Sequence, residues 1–358
     1  MTLAVLFIAL ACGADEPTFE LDRELRPAAK FDARDPRSRL IVHTRSLGCA
    51  DDGQIVAAAL SNGEVHIWHK DRPEPTVVRP RNSDAGFACV TVAPRGDDVW
   101  AVWPSDAHCL LPIGTQWKDH VLELDKDLDA RATIAFCNAT VSRECYVGFK
   151  RMQSLNIVGK DTWARGLQRF QLTRQGQLTT VRIPLNHVVG GLVTTDGRVL
   201  AVNEQMRMDR RMGQGVAEVR PDGSIRQLAH GPFATLLAVE TDEAGKVVAL
   251  GVDDFTTPNR QTWVGLVFDD GRFVKAGDAG GNADQAVAAM GPIPHSFLVG
   301  FGDGAISVVD TELSWPFSTF KAHHARVTAV AAARAARRVV TAAEDGSLRV
   351  WRVKTSKG

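Results

Sequence analysis

The stretch FKAHHARVTAVAAARAARRVVTAAEDGSLRVWRVK, from Phe320 to Lys354, constrains the fold most. It reads as a strand, a His-bearing turn, two more strands, an Asp345-Gly346 turn and a last strand ending near Trp351. Within it, Ala329 to Ala343 has high helix propensity. The flanking turn residues nevertheless fit a strand–turn–strand unit, and two strands are expected here.

The unit recurs. His43 to Asp71 matches it, with His43 in the place of His323, turns at Asp52-Gly53 and Asn62-Gly63, and Trp68 in the place of Trp351. A third copy ends in Phe297 to Asp310, with its turn at Asp303-Gly304. Ala88–Trp103, Gly190–Glu204 and Ala234–Asp254 keep the same strand–turn–strand rhythm. Hairpins in RFQLTRQGQLTTVRI, VAEVRPDGSIRQL and VGLVFDDGRFVKA show alternating apolar residues around Gly-containing turns. Third strands are expected to end near positions 68, 113, 172, 220, 268, 309 and 351, a spacing of roughly 40 to 60 residues that suits four-stranded blades.

These units resemble the WD-repeat β-propeller family, with degenerate repeats of a bacterial, exported type. The resemblance implies an all-β, seven-bladed β-propeller of four-stranded antiparallel blades. It also implies that His323, Thr341, Asp345 and Trp351 form a hydrogen-bonded bracing chain in the last blade, a structural role and not a catalytic one. The chemistry is reasonable, since a buried indole N–H needs an acceptor and a turn carboxylate can orient an imidazole. The first blade keeps His43 and Trp68 but has Ala58 and Asn62 at the other two places, so its chain must be incomplete.

The 358 residues divide into an apolar leader (1–14), an N-terminal segment (15–38) that supplies the ring-closing strand, and one propeller domain (39–358). The leader TLAVLFIALA is too short to span a bilayer but suits the core of a secretory signal, and Ala9-Leu10-Ala11 supplies a cleavage site. A buried first strand is the alternative. Cys12 follows a loose lipobox, so a lipid anchor there competes with cleavage after Ala14. An exported, cell-envelope-associated or secreted protein is expected. Lys+Arg and Asp+Glu balance at 42 each, giving a formal net charge of zero, without the basic excess of a general nucleic-acid binder.

Five cysteines lie beyond the leader. Cys137 and Cys145 flank a hairpin connection on opposed strands and could form a disulfide. Cys89 and Cys109 fall on the first and third strands of one blade, roughly 9.6 Å apart and too far for a relaxed bridge.

Three successive connections between second and third strands look long: Arg151–Arg165, Glu204–Gln214 and Asp253–Gln261. Long loops on a rigid scaffold are where binding concentrates; drift in degenerate blades is the bland alternative. The candidates for contact with a protein partner are Trp163, Arg207, Asp209, Arg210, Arg211, Asn259 and Arg260. The middle loop also holds Met206, Met208 and Met212, but no His or Cys to support a copper site. Asp125, Asp127 and Asp129 open like a calcium loop, yet Ala130 and Phe136 stand where its Gly and Glu belong. No cofactor or metal is expected. The leading expectation is a monomeric, non-enzymatic interaction scaffold; the rival is a propeller enzyme of the lactonase or quinone-dependent dehydrogenase type, with its site over the channel.

Overall fold

The structure is a computed structural model. It describes residues 17–27, 42–72, 74–81, 88–113, 116–124, 132–140, 143–151, 166–183, 188–193, 198–206, 212–220, 222–233, 235–241, 247–252, 261–267, 273–282, 287–293, 295–310 and 316–354. The leader, Cys12 and the Asp125–Asp129 run lie outside these residues.

Strand β1 (Thr18–Leu25) precedes a first sheet of β2 (Thr44–Cys49), β3 (Ile55–Leu60), β4 (Val65–His69) and β5 (Thr76–Val78). The second sheet is β6 (Cys89–Val92), β7 (Val99–Val102), β8 (Asp106–Ile113) and β9 (Gln116–Glu123). The third is β10 (Ala132–Ala139), β11 (Glu144–Arg151), β12 (Gly166–Leu172) and β13 (Leu178–Ile183). The fourth is β14 (Val188–Val193), β15 (Val199–Met206), β16 (Met212–Val219) and β17 (Ile225–Phe233). The fifth is β18 (Thr235–Thr241), β19 (Val247–Val252), β20 (Gln261–Val267) and β21 (Phe273–Asn282). The sixth is β22 (Val287–Met290), β23 (Ser296–Gly300), β24 (Ala305–Asp310) and β25 (Pro316–Lys321). The last contains β26 (Val327–Ala333), β27 (Arg338–Ala343) and β28 (Leu348–Lys354), with β1 as its outer strand. The described strands thus form seven four-stranded antiparallel sheets.

The first strand of each sheet lies beside the first strand of the next: β2 by β6, β6 by β10, and so on to β26, which returns to β2. This is a β-propeller arrangement, in which radial repetition leaves only short edges. Its core lies in the seams between sheets. All six residues of β3, IVAAAL, are buried. Val56, Ala58 and Leu60 join Ala329, Ala331 and Val340 in one seam, whereas Ile55, Ala57 and Ala59 join Val90, Val92 and Trp103 in the other. A strand covered on both faces needs a continuous apolar run, not alternation. The Ala-rich stretch becomes β26 and β27 because their seam positions require small side chains, and burial in the seams overrides helix propensity.

The ring-closing pair is 330 residues apart in sequence at its Asp22–Arg352 contact. β1 presents Glu20, Asp22 and Glu24, and β28 answers with Lys354, Arg352 and Arg349 at 2.6, 2.9 and 3.1 Å. Asp22 also meets Arg338 on β27 at 3.2 Å.

Candidate functional site

The connection from β25 to β26 carries His323, which is buried. Gly304, in the turn between β23 and β24, holds that connection in place: its carbonyl accepts from Ala322 N at 3.1 Å and His323 N at 3.0 Å. Second-to-third-strand turns therefore share an end of the ring with the sheet-to-sheet connections.

From His323 a polar chain runs through the last sheet. The Trp351 indole N–H donates to Thr341 Oγ1 at 2.9 Å. Thr341 Oγ1 lies 2.7 Å from His323 Nε2, and His323 Nδ1 lies 2.8 Å from Ser347 Oγ. Ser347 Oγ donates to Asp345 Oδ1 at 2.6 Å. One set of protons satisfies every link: Thr341 donates to a neutral imidazole whose Nδ1–H donates to Ser347. Burial, assisted by Arg349, pulls His323 down to about 4, which keeps the ring neutral. The expected four residues are all present, with one correction. Asp345 reaches His323 through Ser347 and not directly; Ser347 was missed because the serine after an Asp-Gly pair reads as ordinary turn chemistry.

In the first sheet, among the described residues, His43 takes part through its backbone: His43 N donates to Ser61 Oγ at 3.2 Å, and Ser61 N donates to the His43 carbonyl at 2.8 Å. Trp68 is buried, and its indole N–H has no partner among the described residues. The first and second sheets brace themselves otherwise. His66 is buried against Glu64 at 3.1 Å, and Glu64 also binds Arg79 at 2.6 Å. His108 is buried between Asp119, 2.9 Å from Nδ1, and Asp106, 3.3 Å from Nε2. Burial opposes charge on His108, but its hydrogen bonds to Asp106 and Asp119 outweigh it and hold the imidazole up to about 9. The signal for both was an acid-x-His triplet opening the third strand, Glu64-x-His66 and Asp106-x-His108.

Cys137 and Cys145 lie on neighbouring strands with free thiols, their sulfurs 3.2 Å apart. They are not directly opposed: Cys137 faces Val147, and Ala139 faces Cys145. Cys89 and Cys109 sit on β6 and β8 with β7 between them.

Trp163, Arg207, Asp209, Arg210, Arg211, Asn259 and Arg260 lie outside the described residues. Their flanking strands are described. Residues 152–165 join β11 to β12, 207–211 join β15 to β16, and 253–260 join β19 to β20. All three are second-to-third-strand connections of successive sheets. The middle one is shorter than expected, because β15 runs to Met206 and pairs there with Met212, the first residue of β16. In the first and last sheets the same connection spans only 61–64 and 344–347.

Residues 314–352 match the family model for the WD domain, G-beta repeat. The match covers β25 to most of β28, the unit that contains the His323–Trp351 chain. No curated protein matches the chain. The fold is a β-propeller whose last sheet matches one WD-repeat model. Among the described residues no group of three or more His, Cys, Asp or Glu could hold a metal ion, and no helix is long and apolar enough to cross a membrane.

Proposed function

We propose that the chain is an exported, monomeric, seven-bladed WD-repeat propeller that works as a non-enzymatic scaffold for a protein partner. Its docking face is formed by the second-to-third-strand connections of the third, fourth and fifth sheets. The observation that carries this reading is the shared attachment of residues 152–165, 207–211 and 253–260 at one position of three successive sheets. Connections displayed by a rigid scaffold are the usual place for recognition. Trp163, Arg207, Arg210, Arg211 and Arg260 are of the types that interfaces enrich, and zero net charge does not favour nucleic acid. Arg207, Arg210 and Arg211 changed together to Ala should remove a partner that co-purifies with the wild-type protein from the native cell envelope; undiminished recovery would count against this face. For export, mass spectrometry of the mature chain should find a free amine on Asp15. An unprocessed Met1 or a lipidated Cys12 would each overturn cleavage after Ala14.

A further inference from the structure

The seam between the second and third sheets concentrates sulfur. Cys109, Cys137 and Cys145 are buried there with Trp100 and Phe170, and half-buried Cys89 packs against them. Cys137 and Cys145 sulfurs are 3.2 Å apart; across the seam Ala139 N donates to Thr91 Oγ1 at 3.4 Å, and two residues back on the same two strands stand Cys137 and Cys89, the latter with its own sulfur 3.4 Å from Ser46 Oγ. Cys89, Cys137 and Cys145 therefore form a row from the partly exposed start of β6 into the interior. A disulfide bond needs the last two sulfurs to approach by about 1.2 Å more.

A second observation marks the same seam. The turn from β6 to β7 repeats the turn from β2 to β3: Ala50 N bonds Ile55 O and Gly53 N bonds Ala50 O, while Ala93 N bonds Asp98 O and Gly96 N bonds Ala93 O. Asp98 thus occupies the place of core residue Ile55. It is fully buried, and neither carboxylate oxygen has a hydrogen-bond partner among the described residues. The Trp100 indole N–H approaches it without closing a normal hydrogen bond. Burial, with neighbouring Asp97, pushes Asp98 up to about 7, against a weaker pull from Arg143. Trp100, two residues further on, stands opposite Cys109 in the seam that also holds Cys145. An unpaired carboxylate at an apolar position has no structural use, but it suits a group that must accept a proton inside the seam.

We propose that this seam is a thiol–disulfide exchange site in which Cys89 meets an external disulfide, Cys137 relays, Cys145 completes the internal bond and Asp98 accepts the proton released there. The Cys89 thiol loses its proton and its sulfur attacks a small disulfide RSSR, forming Cys89–S–S–R and releasing RSH. Cys137 then attacks the Cys89 sulfur, expels the second RSH and forms a Cys89–Cys137 bond. Cys145 gives its proton to Asp98 and attacks Cys137; Cys89 leaves as a thiolate and recovers that proton. Overall two protein thiols lose two electrons and two protons, and RSSR becomes two RSH. Entry through Cys89 follows from access: all three thiols are held protonated, Cys89 by its Cys137 neighbour and by burial, Cys137 and Cys145 by burial, but only Cys89 is partly exposed, whereas Cys137 and Cys145 are out of reach of a bulky oxidant.

The experiment treats the folded, full-length protein with oxidised glutathione, counts thiols after denaturation and maps the bond by peptide mass spectrometry. The expected result is loss of two thiols with Cys137–Cys145 as the product. Cys145→Ser should trap Cys89–Cys137 instead. Cys89→Ser should reach the same final bond at least about tenfold more slowly. In Asp98→Asn the rise in rate centred near pH 7 should be absent, with far-UV circular dichroism reporting that each variant is folded. Retention of all thiols, or a bond to Cys49 or Cys109, would overturn the site. An unchanged rate in Cys89→Ser overturns the relay, and an unchanged pH profile in Asp98→Asn overturns the proton acceptor.

Discussion

Trp68 and Trp351 occupy the same strand position in adjacent sheets, yet only Trp351 has its indole N–H bonded. Trp68 pairs with Val56 and Trp351 with Val339; two residues further along the inner strand stand Ala58 and Thr341. One hydroxyl makes the difference. It anchors the chain through His323 and Ser347 to Asp345, and its absence leaves Trp68 without an acceptor.

Removing that hydroxyl should be costly. Thr341→Ala strands two buried polar groups, Trp351 Nε1 and His323 Nε2, and should lower stability by about 2–4 kcal/mol. Thr341→Ser keeps the oxygen and should cost far less. Ala58→Ser should act in the opposite sense, offering Trp68 an acceptor and raising the urea midpoint. A midpoint that does not distinguish Thr341→Ala from Thr341→Ser would show that the hydroxyl carries none of this stability.

Stability should depend on pH through three buried groups with different signs. His323 has a folded pKa of about 4, below the unfolded value, so its environment favours the neutral ring and stability falls as pH drops from about 6.5 towards 4. His108, held up to about 9, contributes fully below about 6.5 and loses that contribution as pH rises through 9. The advantage of wild type over His108→Gln should therefore be greatest at pH 6 and shrink by pH 10. Urea titrations at those two pH values test this.

Asp98 works against the fold. Its folded pKa is raised to about 7, so the carboxylate costs nothing extra when protonated and its full cost is present above pH 7. Asp98→Asn should stabilise the protein by on the order of 2–4 kcal/mol at pH 8 and by little at pH 4. A destabilised Asp98→Asn at pH 8 would mean that the charge has a partner in solution.

Ring closure should be salt-sensitive. Asp22 binds both Arg338 and Arg352, so Asp22→Lys replaces two attractions with two repulsions at the last sheet. The loss should be about 1 kcal/mol at low salt and smaller at high salt. Limited proteolysis should cut the N-terminal segment faster in the variant, with the difference narrowing as salt rises.

Gly304 should tolerate no side chain. Its φ of 88° is left-handed, and a Cβ there would collide with the His323 carbonyl and meet the Ala325 carbonyl at 2.7 Å. Gly304→Ala should cost at least about 2 kcal/mol. Gly223, also left-handed at φ 82° but with open space around it, should lose less on the same change. Equal midpoints for the two variants would show that the sheet-to-sheet contact is not tight.

Strand and turn positions in the first, sixth and last sheets were legible because hairpin periodicity and Asx-Gly turns are local signals. Legibility fell where chemistry depends on neighbours distant in sequence. Asp98 reads as a turn residue beside Gly96, and nothing local says that its side chain enters an apolar seam. His108 and His66 looked unremarkable until their sheets set carboxylates around them. Cys137 and Cys145 were placed on the right pair of strands, but their offset depended on where the turn ended, at Ala139 and Glu144 rather than beside the cysteines themselves.

Sequence alone determined the strand rhythm and the turn positions, because each follows from residues within one short repeat; the bracing roles of His323, Thr341, Asp345 and Trp351 came from the resemblance of that repeat to the WD-repeat family. Tertiary structure decided the rest. It brought the acidic face of β1 to the basic face of β28, and set Cys89, Cys137, Cys145 and Asp98 into one seam. The physical reason is distance along the chain: a repeat specifies its own sheet, whereas a seam exists only once two sheets have packed face to face.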